Sequence, residues 1–316
     1  MRFKYYVIGA GSIGTRHFNN LKELGQHVIS LSWRGIDMDT LLHDLRAAQG
    51  QAGVVIATAT KIRMPLIRDI ADTGAALYIE KPVAYHPADV DAIFSLPLDI
   101  QMRSMAGFMM RYHPMVDYIR TAAPKHMFRA GLEIGHDVTQ WRQNWTFADS
   151  YAADPDGGGV LLDLCHEIDL AHLFCGDLSL DTVRSTNHPD FPKVDIQSHL
   201  TLTSDRGVIA NVSMDYLAPK LIRRGHLIGI AGQLDYDLTQ NTVCMTTATG
   251  VDRHEFAFER NEMFLGIMRD FIALSQGNSA SNPIAPRLDL TKEVCHLISN
   301  AWASRTFSGQ LRANLT

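Results

Sequence analysis

The stretch GGGVLLDLCHEIDLAHLFCG, residues 157–176, combines the apolar pattern of a buried helix with several groups that titrate. Its titratable side chains are Asp163, His166, Glu167, Asp169 and His172. Histidine suits proton transfer near neutral pH because its unperturbed pKa is about 6.5. Either a polar stripe of this helix faces solvent, or it faces a site of chemistry. We expect Glu167 and Asp169 to be structural or solvent-facing, and His172 to be packed or at the surface.

A second motif with chemical potential is G-x-G-x-x-G at Gly9, Gly11 and Gly14, between a strand pattern and a helix pattern. Gly9 allows a tight turn, Gly11 lets a pyrophosphate approach the backbone, and Gly14 lets the helix pack on the strand. The first amides of the helix, at Ser12 and Ile13, would bind phosphate. The motif predicts a dinucleotide cofactor, and a coincidental glycine turn is the alternative.

The residues after the second predicted strand, SLSWRG, indicate which cofactor binds. An NAD-preferring site usually has an acid about 20 residues after the glycines, where it binds the ribose 2′-hydroxyl. Ser32 and Arg34 stand there instead, and a hydroxyl and a guanidinium would bind a 2′-phosphate. We therefore predict NADP rather than NAD. The alternative is that Arg34 is a solvated loop charge and that Asp37 or Asp39 binds the ribose.

Alternating strand and helix patterns must position these residues in the first part of the chain. Strand patterns lie at 5–8, 27–33, 52–60, 76–84 and 105–114, and helix patterns at 9–24, 38–48, 64–74 and 86–96. Such alternation is typical of a parallel, doubly wound α/β sheet. We therefore predict an N-terminal Rossmann dinucleotide-binding domain at residues 1–118.

Consecutive strand patterns dominate the second half of the chain, after a helix predicted at 159–175. These strand patterns lie at 194–204, 207–217, 224–238, 241–249 and 253–259. They predict a C-terminal α+β domain at 119–316 with a large, mostly antiparallel open sheet. Two more helices are predicted near 262–275 and 291–304, and the last could pack back on the Rossmann domain.

Composition and charge exclude several classes of protein. The chain has 316 residues, of which 46% are hydrophobic, and a formal net charge of -5, which argues against nucleic-acid binding and a polybasic membrane patch. No apolar run approaches the roughly 18 residues of a membrane span. The four cysteines are scattered without a C-x-x-C pair, so we expect neither a metal site nor disulfides. We expect a cytoplasmic protein.

Two further motifs identify a family. Glu80-Lys81-Pro82 stands at a predicted strand end, and the glycine triplet at 157–159 is followed by Asp163 and His166. Together with G-x-G-x-x-G, in this order, they resemble the glucose–fructose oxidoreductase/inositol dehydrogenase family, Gfo/Idh/MocA, over nearly the whole chain. The resemblance implies hydride transfer between NAD(P) and a secondary alcohol or ketone of a sugar, polyol or sugar acid. It also implies a homodimer or homotetramer formed through the C-terminal sheet.

The resemblance assigns roles to individual residues. Lys81 matches the catalytic lysine, whose ammonium stabilises charge on the reacting oxygen. Asp163 matches the substrate-binding aspartate, and His166 the residue that exchanges the hydroxyl proton. Glu80 and Pro82 belong to the same cofactor-side motif, and Pro82 would hold Lys81 in an extended conformation.

Further residues are expected around the substrate. By the same resemblance, Thr58 lines the nicotinamide and ribose, and Arg111 is a basic residue after the last Rossmann strand. Trp141, Arg142 and Trp145 precede the glycine triplet and could form a substrate wall, with loop packing as the alternative. The glycines at 157–159 would let the chain approach the substrate closely.

The sequence departs from the family pattern at two places. Many members have D-x-G-x-H, whereas His166 follows Asp163 by three residues here, a spacing that still leaves both on one helical face. The opposite face would carry Leu161, Leu164 and Ile168 into the core. Where many members have a proline and then a histidine after the threonine, this chain has Ala59 and Arg63.

Two other functions are compatible with these motifs. A non-catalytic nucleotide-binding sensor is one, because the family includes a transcriptional-repressor branch. The presence of Lys81, Asp163 and His166 together favours the enzyme. An imine or biliverdin-type reductase on a similar fold is a weaker alternative.

Overall fold

A computed structural model describes residues 3–141 and 146–315. The chain divides into two compact units: residues up to His113 together with Glu259–Cys295, and Pro114–Phe258 together with the residues from His296 onward. The boundary expected from the sequence was 118/119, with residues 259–295 in the second domain. The difference arises because a segment far along the chain completes the core of the first unit.

Helices occur in both units, and their bounds in the described residues are as follows. They are α1 (Ser12–Glu23), α2 (Met38–Ala47), α3 (Arg63–Ala71), α4 (Pro87–Phe94), α5 (Leu98–Arg103), α6 (Pro114–Ala122), α7 (Val160–Asp163), α8 (His166–Cys175), α9 (Arg260–Ser275) and α10 (Lys292–Ser304). Among them, no helix is long and apolar enough to cross a membrane.

The first unit is built on a parallel sheet whose order, among the described residues, is β2-β1-β3-β4-β5. Its strands are β1 (Lys4–Ile8), β2 (His27–Leu31), β3 (Ala52–Ile56), β4 (Ala76–Ile79) and β5 (Met105–Ala106). The strand predicted at 105–114 is wrong beyond Ala106, where the chain turns into a 3-10 segment at Met109–Tyr112. The neighbouring strand β4 ends at Ile79, which pairs with Ala106. Beyond Ala106 the chain therefore has no residue of β4 to pair with.

The core of the first unit explains why α9 belongs to it. Phe271 of α9 packs edge-on against Tyr5 of β1, at 6.0 Å between ring centroids, and against Tyr78 of β4, at 5.7 Å. Ile267 and Met268 of the same helix join this cluster. Strands β3 and β4 are buried along their whole length, as expected for a parallel sheet covered on both faces.

The second unit is built on a larger sheet. Its strands are β6 (Met127–Gly135), β7 (Ser179–His188), β8 (Phe191–Thr203), β9 (Ile209–Asp215), β10 (Ile222–Gly229), β11 (Gly232–Asp237), β12 (Thr242–Thr247), β13 (Gly250–Glu255) and β14 (Thr306–Gln310). In the described residues their order is β13-β12-β11-β10-β6-β9-β8-β7-β14, antiparallel except at β6–β9 and β7–β14. Helix α8 contacts β6 and β9.

The predicted fold class is therefore confirmed, with differences in the elements. The run predicted as one strand at 224–238 is two strands, β10 and β11, because the chain reverses between Gly229 and Gly232. Strands β6, β7 and β14 are not predicted from the sequence. Strand β7 has few apolar residues, and β14 is exposed along its whole length, so the strand signal of both is weak.

Candidate functional site

The predicted cofactor residues of the first unit lie along one edge of its sheet. Four residues form a row of register partners at the carboxyl ends of adjacent strands: Leu31, Ile8, Ile56 and Ile79. The residues that follow them are Ser32, Gly9, Ala57 and Glu80. In open parallel sheets, ligands bind at this edge where the strand order reverses, which here is between β1 and β3.

The glycine motif forms a cradle at this edge. A Cβ atom at Gly9, where φ is +124°, would overlap the carbonyl oxygen of Ala57, and one at Gly14 would overlap the carbonyl oxygen of Gly9. The position of a Cβ at Gly11 has no described atom within 4 Å. Two glycines thus let the chain pack on itself, while the third faces open space at the start of α1.

The first turn of α1 offers backbone donors to that space. Gly11 is its N-cap residue and supplies no side-chain cap. The amides at the start of a helix, here from Ser12 and Ile13, have no intrahelical acceptor, and the helix dipole favours an anion there. The arrangement fits a phosphate group.

The turn after β2 presents the residues predicted to select the cofactor. Ser32 and Arg34 are exposed, and Ser32 precedes a 3-10 turn at Trp33–Gly35. Asp37 caps α2, since its carboxylate accepts hydrogen bonds from the amide of Thr40, at 3.1 Å, and from its hydroxyl, at 2.7 Å. These hydrogen bonds lower the pKa of Asp37. One of the two acids available for the ribose is therefore already engaged.

Thr58, just beyond β3, provides an independent test of the fit to a dinucleotide. Its Oγ1 atom is buried and has no hydrogen-bond partner among the described atoms. Such a hydroxyl is costly unless a partner satisfies it. A polar group of a ligand at this sheet edge would be that partner, so the cradle and Thr58 together fit NAD(P).

Glu80 and Lys81 lie at the same edge. Glu80 is buried, its Oε1 lies 2.6 Å from Nε2 of His17, and its Oε2 accepts the backbone amide of Lys81 at 3.1 Å. Burial alone would raise the pKa of Glu80, but the hydrogen bond with His17 and the charges of His17, Lys81 and Arg63 lower it overall. Glu80 is thus an anion, and it orients the backbone of Lys81, which is half-buried.

Arg63 is a residue that the sequence analysis noted only as a departure. Arg63 is only 4% exposed. Its guanidinium donates to the carbonyl oxygens of Thr58, Glu80 and Pro82. The guanidinium of Arg63 therefore links Thr58, which follows β3, to the residues on both sides of Lys81. The peptide bond between Lys81 and Pro82 is cis. Nothing in the local sequence distinguishes this arginine from a surface residue.

Arg111 is held inside the first unit. It is buried in the 3-10 turn, where Nη1 donates to the carbonyl oxygen of Ile284 at 3.4 Å. Its guanidinium lies 5.8 Å from the centre of the Phe108 ring, and its own carbonyl accepts the side-chain amide of Asn282 at 3.0 Å. These contacts fix its position through residues far along the chain.

In the second unit, the glycine triplet begins α7. At Gly159 φ is +97°, and a Cβ atom there would overlap Oδ1 of Asp195. A Cβ at Gly158 would lie 2.5 Å from the carbonyl oxygen of Asp154. From the sequence, the glycines at 157–159 are expected to let the chain approach the substrate closely. At Gly158 and Gly159, the chain itself occupies the space that a side chain would need.

The helix predicted at 159–175 is two helices. Helix α7 ends at Asp163 and α8 begins at His166, with a turn at Leu164 and Cys165. At Leu164 φ is -105° and ψ is 22°, which departs from helical geometry and interrupts the backbone hydrogen bonds. Asp163 and His166 therefore do not share a face of one continuous helix, contrary to the expectation from their spacing.

The first turn of α8 has no solvent-facing stripe. His166, Glu167 and Asp169 are all buried, as are Leu161, Leu164 and Ile168 of the expected core face. Glu167 forms an ion pair with Arg223 of β10, with 2.7 Å between Oε1 and Nε. The solvent-facing alternative for Glu167 and Asp169 was wrong, and Glu167 has a structural partner. His172 is half-buried.

Asp163 is held by two tyrosines. Its Oδ1 accepts the hydroxyl of Tyr151 and its Oδ2 the hydroxyl of Tyr216, each at 2.9 Å. Tyr216 packs edge-on against Trp141, at 5.3 Å, and Phe147, at 5.8 Å. Burial, followed by the charge of Asp163, raises the pKa of Tyr216 and keeps its hydroxyl a donor. Neither tyrosine is predicted from the sequence, because they lie 12 and 53 residues from Asp163.

Two residues of the expected substrate wall, Arg142 and Trp145, lie outside the described residues. Trp141 is described, and it is half-buried beside Tyr216. Within the described ranges, no cluster of three or more His, Cys, Asp or Glu side chains could hold a metal ion.

Comparison with known proteins identifies the domain that holds Asp163 and His166. Residues 133–235 match the profile of the GFO/IDH/MocA C-terminal domain. This part of the chain is therefore similar to the C-terminal domain of the Gfo/Idh/MocA family. Of the motifs that carry the resemblance, the one at 157–166 lies within the matched range.

A curated relative of this chain is D-xylose 1-dehydrogenase (NADP(+)) 2 of Haloferax volcanii, 29% identical over 161 residues. The match covers 49% of this chain and 47% of the relative, so the chain spans about half the length of the curated relative it matches.

Solved structures with the same fold cover nearly the whole chain. An inositol dehydrogenase homologue from Azotobacter vinelandii, complexed with NAD+, has a TM-score of 0.79 at 12% identity and covers 96% of each chain. A 3-ketoreductase from Actinomadura kijaniata, in complex with NADP and TDP-benzene, has a TM-score of 0.74 at 14% identity and covers 98% of this chain and 99% of its own. At these identities the likeness establishes the fold.

Proposed function

We propose that this protein is a member of the Gfo/Idh/MocA family and an NADP-dependent oxidoreductase acting on a secondary alcohol or ketone of a sugar, polyol or sugar acid. The observation that carries the proposal is the sheet edge of the first unit, where the glycine cradle and the anchored Lys81 lie at the ends of neighbouring strands. The relative named as a D-xylose dehydrogenase and the neighbours named as an inositol dehydrogenase homologue and a 3-ketoreductase support the substrate class.

The cofactor would be held by the first unit. The amides of Ser12 and Ile13 and the open side of Gly11 would bind the pyrophosphate, and Thr58 would find its missing partner in a polar group of the ligand. When bound, NADP supplies or accepts the hydride. The ammonium of Lys81 would stabilise negative charge that develops on the oxygen of the reacting carbon.

Residues of the second unit would bind the substrate hydroxyl and transfer its proton. His166 would accept the proton during oxidation and return it during reduction, because its ordinary pKa lies near working pH. Asp163, oriented by two tyrosine hydroxyls, would accept a hydrogen bond from a substrate hydroxyl. These roles rest on the motif resemblance together with the local geometry of each residue.

The preference for NADP over NAD rests on three residues of the turn after β2. Ser32 and Arg34 are exposed where a 2′-phosphate would be bound, and the carboxylate of Asp37 is committed to capping α2. A guanidinium forms charge-assisted hydrogen bonds with phosphate. The relative from Haloferax volcanii is named as NADP-dependent, whereas the Azotobacter vinelandii neighbour is complexed with NAD+.

A fluorescence titration with NADPH and NADH tests this proposal. We expect the protein to bind NADPH at least tenfold more tightly, which corresponds to about 1.4 kcal/mol. Arg34→Ala should lose that preference and keep NADH binding. Gly11→Ala should weaken both cofactors while leaving the melting temperature unchanged, because its methyl meets no described atom but occupies space that the phosphate needs.

Controls and contrary outcomes separate the parts of the proposal. Arg46→Ala, at an exposed arginine of α2, should match the unmodified protein. Tighter NADH binding would overturn the cofactor assignment and leave the fold. Binding of neither cofactor by folded, nucleotide-free protein would overturn the oxidoreductase. NADPH binding without turnover of D-xylose, myo-inositol or a broader panel of sugars and sugar acids would favour the non-catalytic sensor.

We also propose that the second unit forms a homodimer or homotetramer through its sheet. Along β6, Ala130, Leu132 and Ile134 are buried, while the alternating Gly131 and Glu133 are partly exposed on the other face. That face carries polar and small side chains suited to a wet, symmetric interface. Sedimentation velocity should give the mass of a dimer or tetramer, and a monomer at micromolar concentration would contradict this proposal.

A further inference from the structure

His17 of α1 is a buried residue that contacts the motif containing Lys81. It is 0% exposed, and its ring packs edge-on against the rings of Tyr78, at 4.9 Å between centroids, and Phe264, at 6.1 Å. Its Nε2 atom lies 2.6 Å from Oε1 of Glu80, the residue that precedes Lys81. The contact therefore joins the helix that begins at the glycine cradle to the lysine motif.

The hydrogen bond between His17 and Glu80 has a defined direction. Burial raises the pKa of Glu80, but its hydrogen bond with His17 and the charges of neighbouring residues lower it overall, so Glu80 is a carboxylate. An ionised carboxylate only accepts hydrogen bonds, so Nε2 of His17 carries the hydrogen and donates it. The other ring nitrogen, Nδ1, is buried without a hydrogen-bond partner among the described atoms. Glu80 is therefore the group on which the polar side of His17 acts.

Glu80 transmits this contact to the backbone of Lys81. Its second oxygen, Oε2, accepts the backbone amide of Lys81 at 3.1 Å. A Cβ atom at Gly107 would lie 2.9 Å from Cα of Glu80 and 3.1 Å from its Oε2, so the backbone of Gly107 packs closely on the glutamate. The carboxylate is thus held by His17 at one oxygen and by the Lys81 amide at the other, with little room to move.

A second anchor acts on different atoms of the same segment. The guanidinium of Arg63 in α3 binds the carbonyl oxygens of Glu80 and Pro82. The link from His17, by contrast, acts on the amide of Lys81. His17 belongs to the second turn of α1, whose first turn faces the open side of the cradle. The backbone around Lys81 is therefore fixed from two helices, one of which also begins the cofactor site.

We propose that His17 is a positioning residue for Lys81, because its hydrogen bond holds the carboxylate of Glu80 against the Lys81 amide and so fixes the backbone that carries the ammonium. The inference rests on the proposed function, in which that ammonium stabilises charge on the reacting oxygen. Helix α1 then has two roles, since its first turn binds the pyrophosphate and its second turn orients the lysine.

Replacement of His17 should change the charge of Glu80. Within the described ranges, the charged and titratable groups that face this carboxylate are His17 from α1, Arg63 from α3, Tyr78 from β4 and the adjacent Lys81. Among the groups that lower its pKa, His17 contributes most, through its hydrogen bond. In His17→Phe, which keeps an aromatic ring, burial would be opposed only by the remaining cations, so the pKa of Glu80 should rise. A protonated Glu80 accepts the Lys81 amide more weakly.

The first test needs neither cofactor nor turnover. In NMR spectra of the whole protein labelled isotopically at lysine, the amide signal of Lys81 is identified by its absence in Lys81→Met. We expect this signal to stay constant between pH 8 and pH 5 in the unmodified protein, because Glu80 remains ionised. In His17→Phe it should move upfield as the pH falls, because the amide loses a charged acceptor. The double variant His17→Phe/Glu80→Gln should lose this pH dependence.

Kinetics with a sugar that turns over provide the second test. His17→Phe should lower kcat about 10–100-fold, the size of effect expected when a catalytic group is displaced by up to about 1 Å, while KM and the affinity for NADPH change little. His17→Leu, a second variant without a donor, should show the same loss. His17→Gln, whose side-chain amide can donate to Glu80, should retain both the amide signal and kcat.

Asn20→Ala is the matched control for a purely structural role. Asn20 is 3% exposed on the same helix, and its side-chain amide bonds reciprocally with that of Asn261, at 3.2 and 3.4 Å. The substitution removes a buried polar contact of α1 that does not involve Glu80. It should lower the melting temperature and leave kcat and the Lys81 amide signal unchanged.

Three outcomes decide the inference. An unchanged Lys81 amide signal in His17→Phe, or an unchanged kcat, would overturn it. Equal losses of kcat in His17→Phe and Asn20→Ala would reduce His17 to a structural residue. If the unmodified protein binds NADPH but turns over no sugar, the oxidoreductase proposal fails, and the amide signal still decides whether His17 positions Lys81.

Discussion

Lys81→Met is expected to lower kcat by about 10²–10³-fold, the usual effect of removing one group that stabilises a developing oxyanion. The affinity for NADPH should change little, because the cradle at Gly9, Gly11 and Gly14 does not involve the ammonium. The variant should fold normally, since the backbone amide of Lys81 donates to Glu80 and Arg63 binds the carbonyl oxygens of the flanking Glu80 and Pro82, contacts that do not involve the Lys81 side chain. Initial rates with NADP+ and the best sugar of the panel provide the measurement.

The same experiment extends to the proposed proton carrier. His166→Gln should lower kcat by about 10²–10⁴-fold, as expected for the loss of a general base, while glutamine preserves much of the buried volume. His172→Gln on the same helix and Lys61→Met on an exposed turn are the matched controls, and both should retain full activity. Full activity in Lys81→Met or in His166→Gln would exclude that residue from the mechanism.

Arg305→Met should reduce the free energy of unfolding by about 3–5 kcal/mol, the range for breaking a buried ion pair from one side. Asp195 is 0% exposed, and its Oδ1 lies 3.1 Å from Nε of Arg305. Burial raises the pKa of Asp195 and lowers the pKa of Arg305, although each attracts the other. Without Arg305, the variant would leave an uncompensated buried carboxylate.

The pair also supports the segment that carries Asp163. Asp195 accepts the backbone amide of Leu161 in α7 at 2.8 Å, next to Gly159. Arg305 lies 4.1 Å from the centre of the Trp302 ring, whose indole nitrogen donates to the carbonyl of Gly158 at 3.3 Å. Loss of Arg305 should therefore disturb the glycine triplet as well as the overall stability.

Acid should partly rescue the arginine variant. The pKa of Asp195 in the folded state is raised above its unfolded value, so its charged form disfavours folding and its neutral form does not. In Arg305→Met the shift grows, and the stability deficit is largest at neutral pH and shrinks as the pH falls through the folded-state pKa. Urea unfolding followed by circular dichroism at pH 7 and pH 5 provides the comparison.

A second variant isolates the charge. In Arg305→Met/Asp195→Asn the buried charge is absent and the asparagine oxygen still accepts the amide of Leu161, so most of the stability should return. Arg184→Met, at an exposed arginine that bonds to Thr306, should cost less than about 1 kcal/mol. An equal loss in the double and single variants would show that packing on Trp302, and not the charge pair, holds this region together.

The sequence alone determined the features that depend on short-range pattern. Strand and helix periodicity predicted the Rossmann unit and the mostly antiparallel sheet, and the G-x-G-x-x-G context predicted the turn at Gly9 and the start of α1. These succeed because burial on a sheet or helix repeats every two or about 3.6 residues, and a tight turn imposes its own residue types. The motifs at Lys81 and at Asp163 and His166 also indicated the resemblance to the Gfo/Idh/MocA family.

Only the tertiary structure decided which distant residues meet. It assigned α9 to the first unit, set Asp195 against Gly159, and brought Tyr151 and Tyr216 to the carboxylate of Asp163. It also broke the helix between Asp163 and His166, which their spacing had suggested was continuous. These contacts are chosen by packing and by the need to satisfy buried polar groups, neither of which leaves a periodic trace in the local sequence.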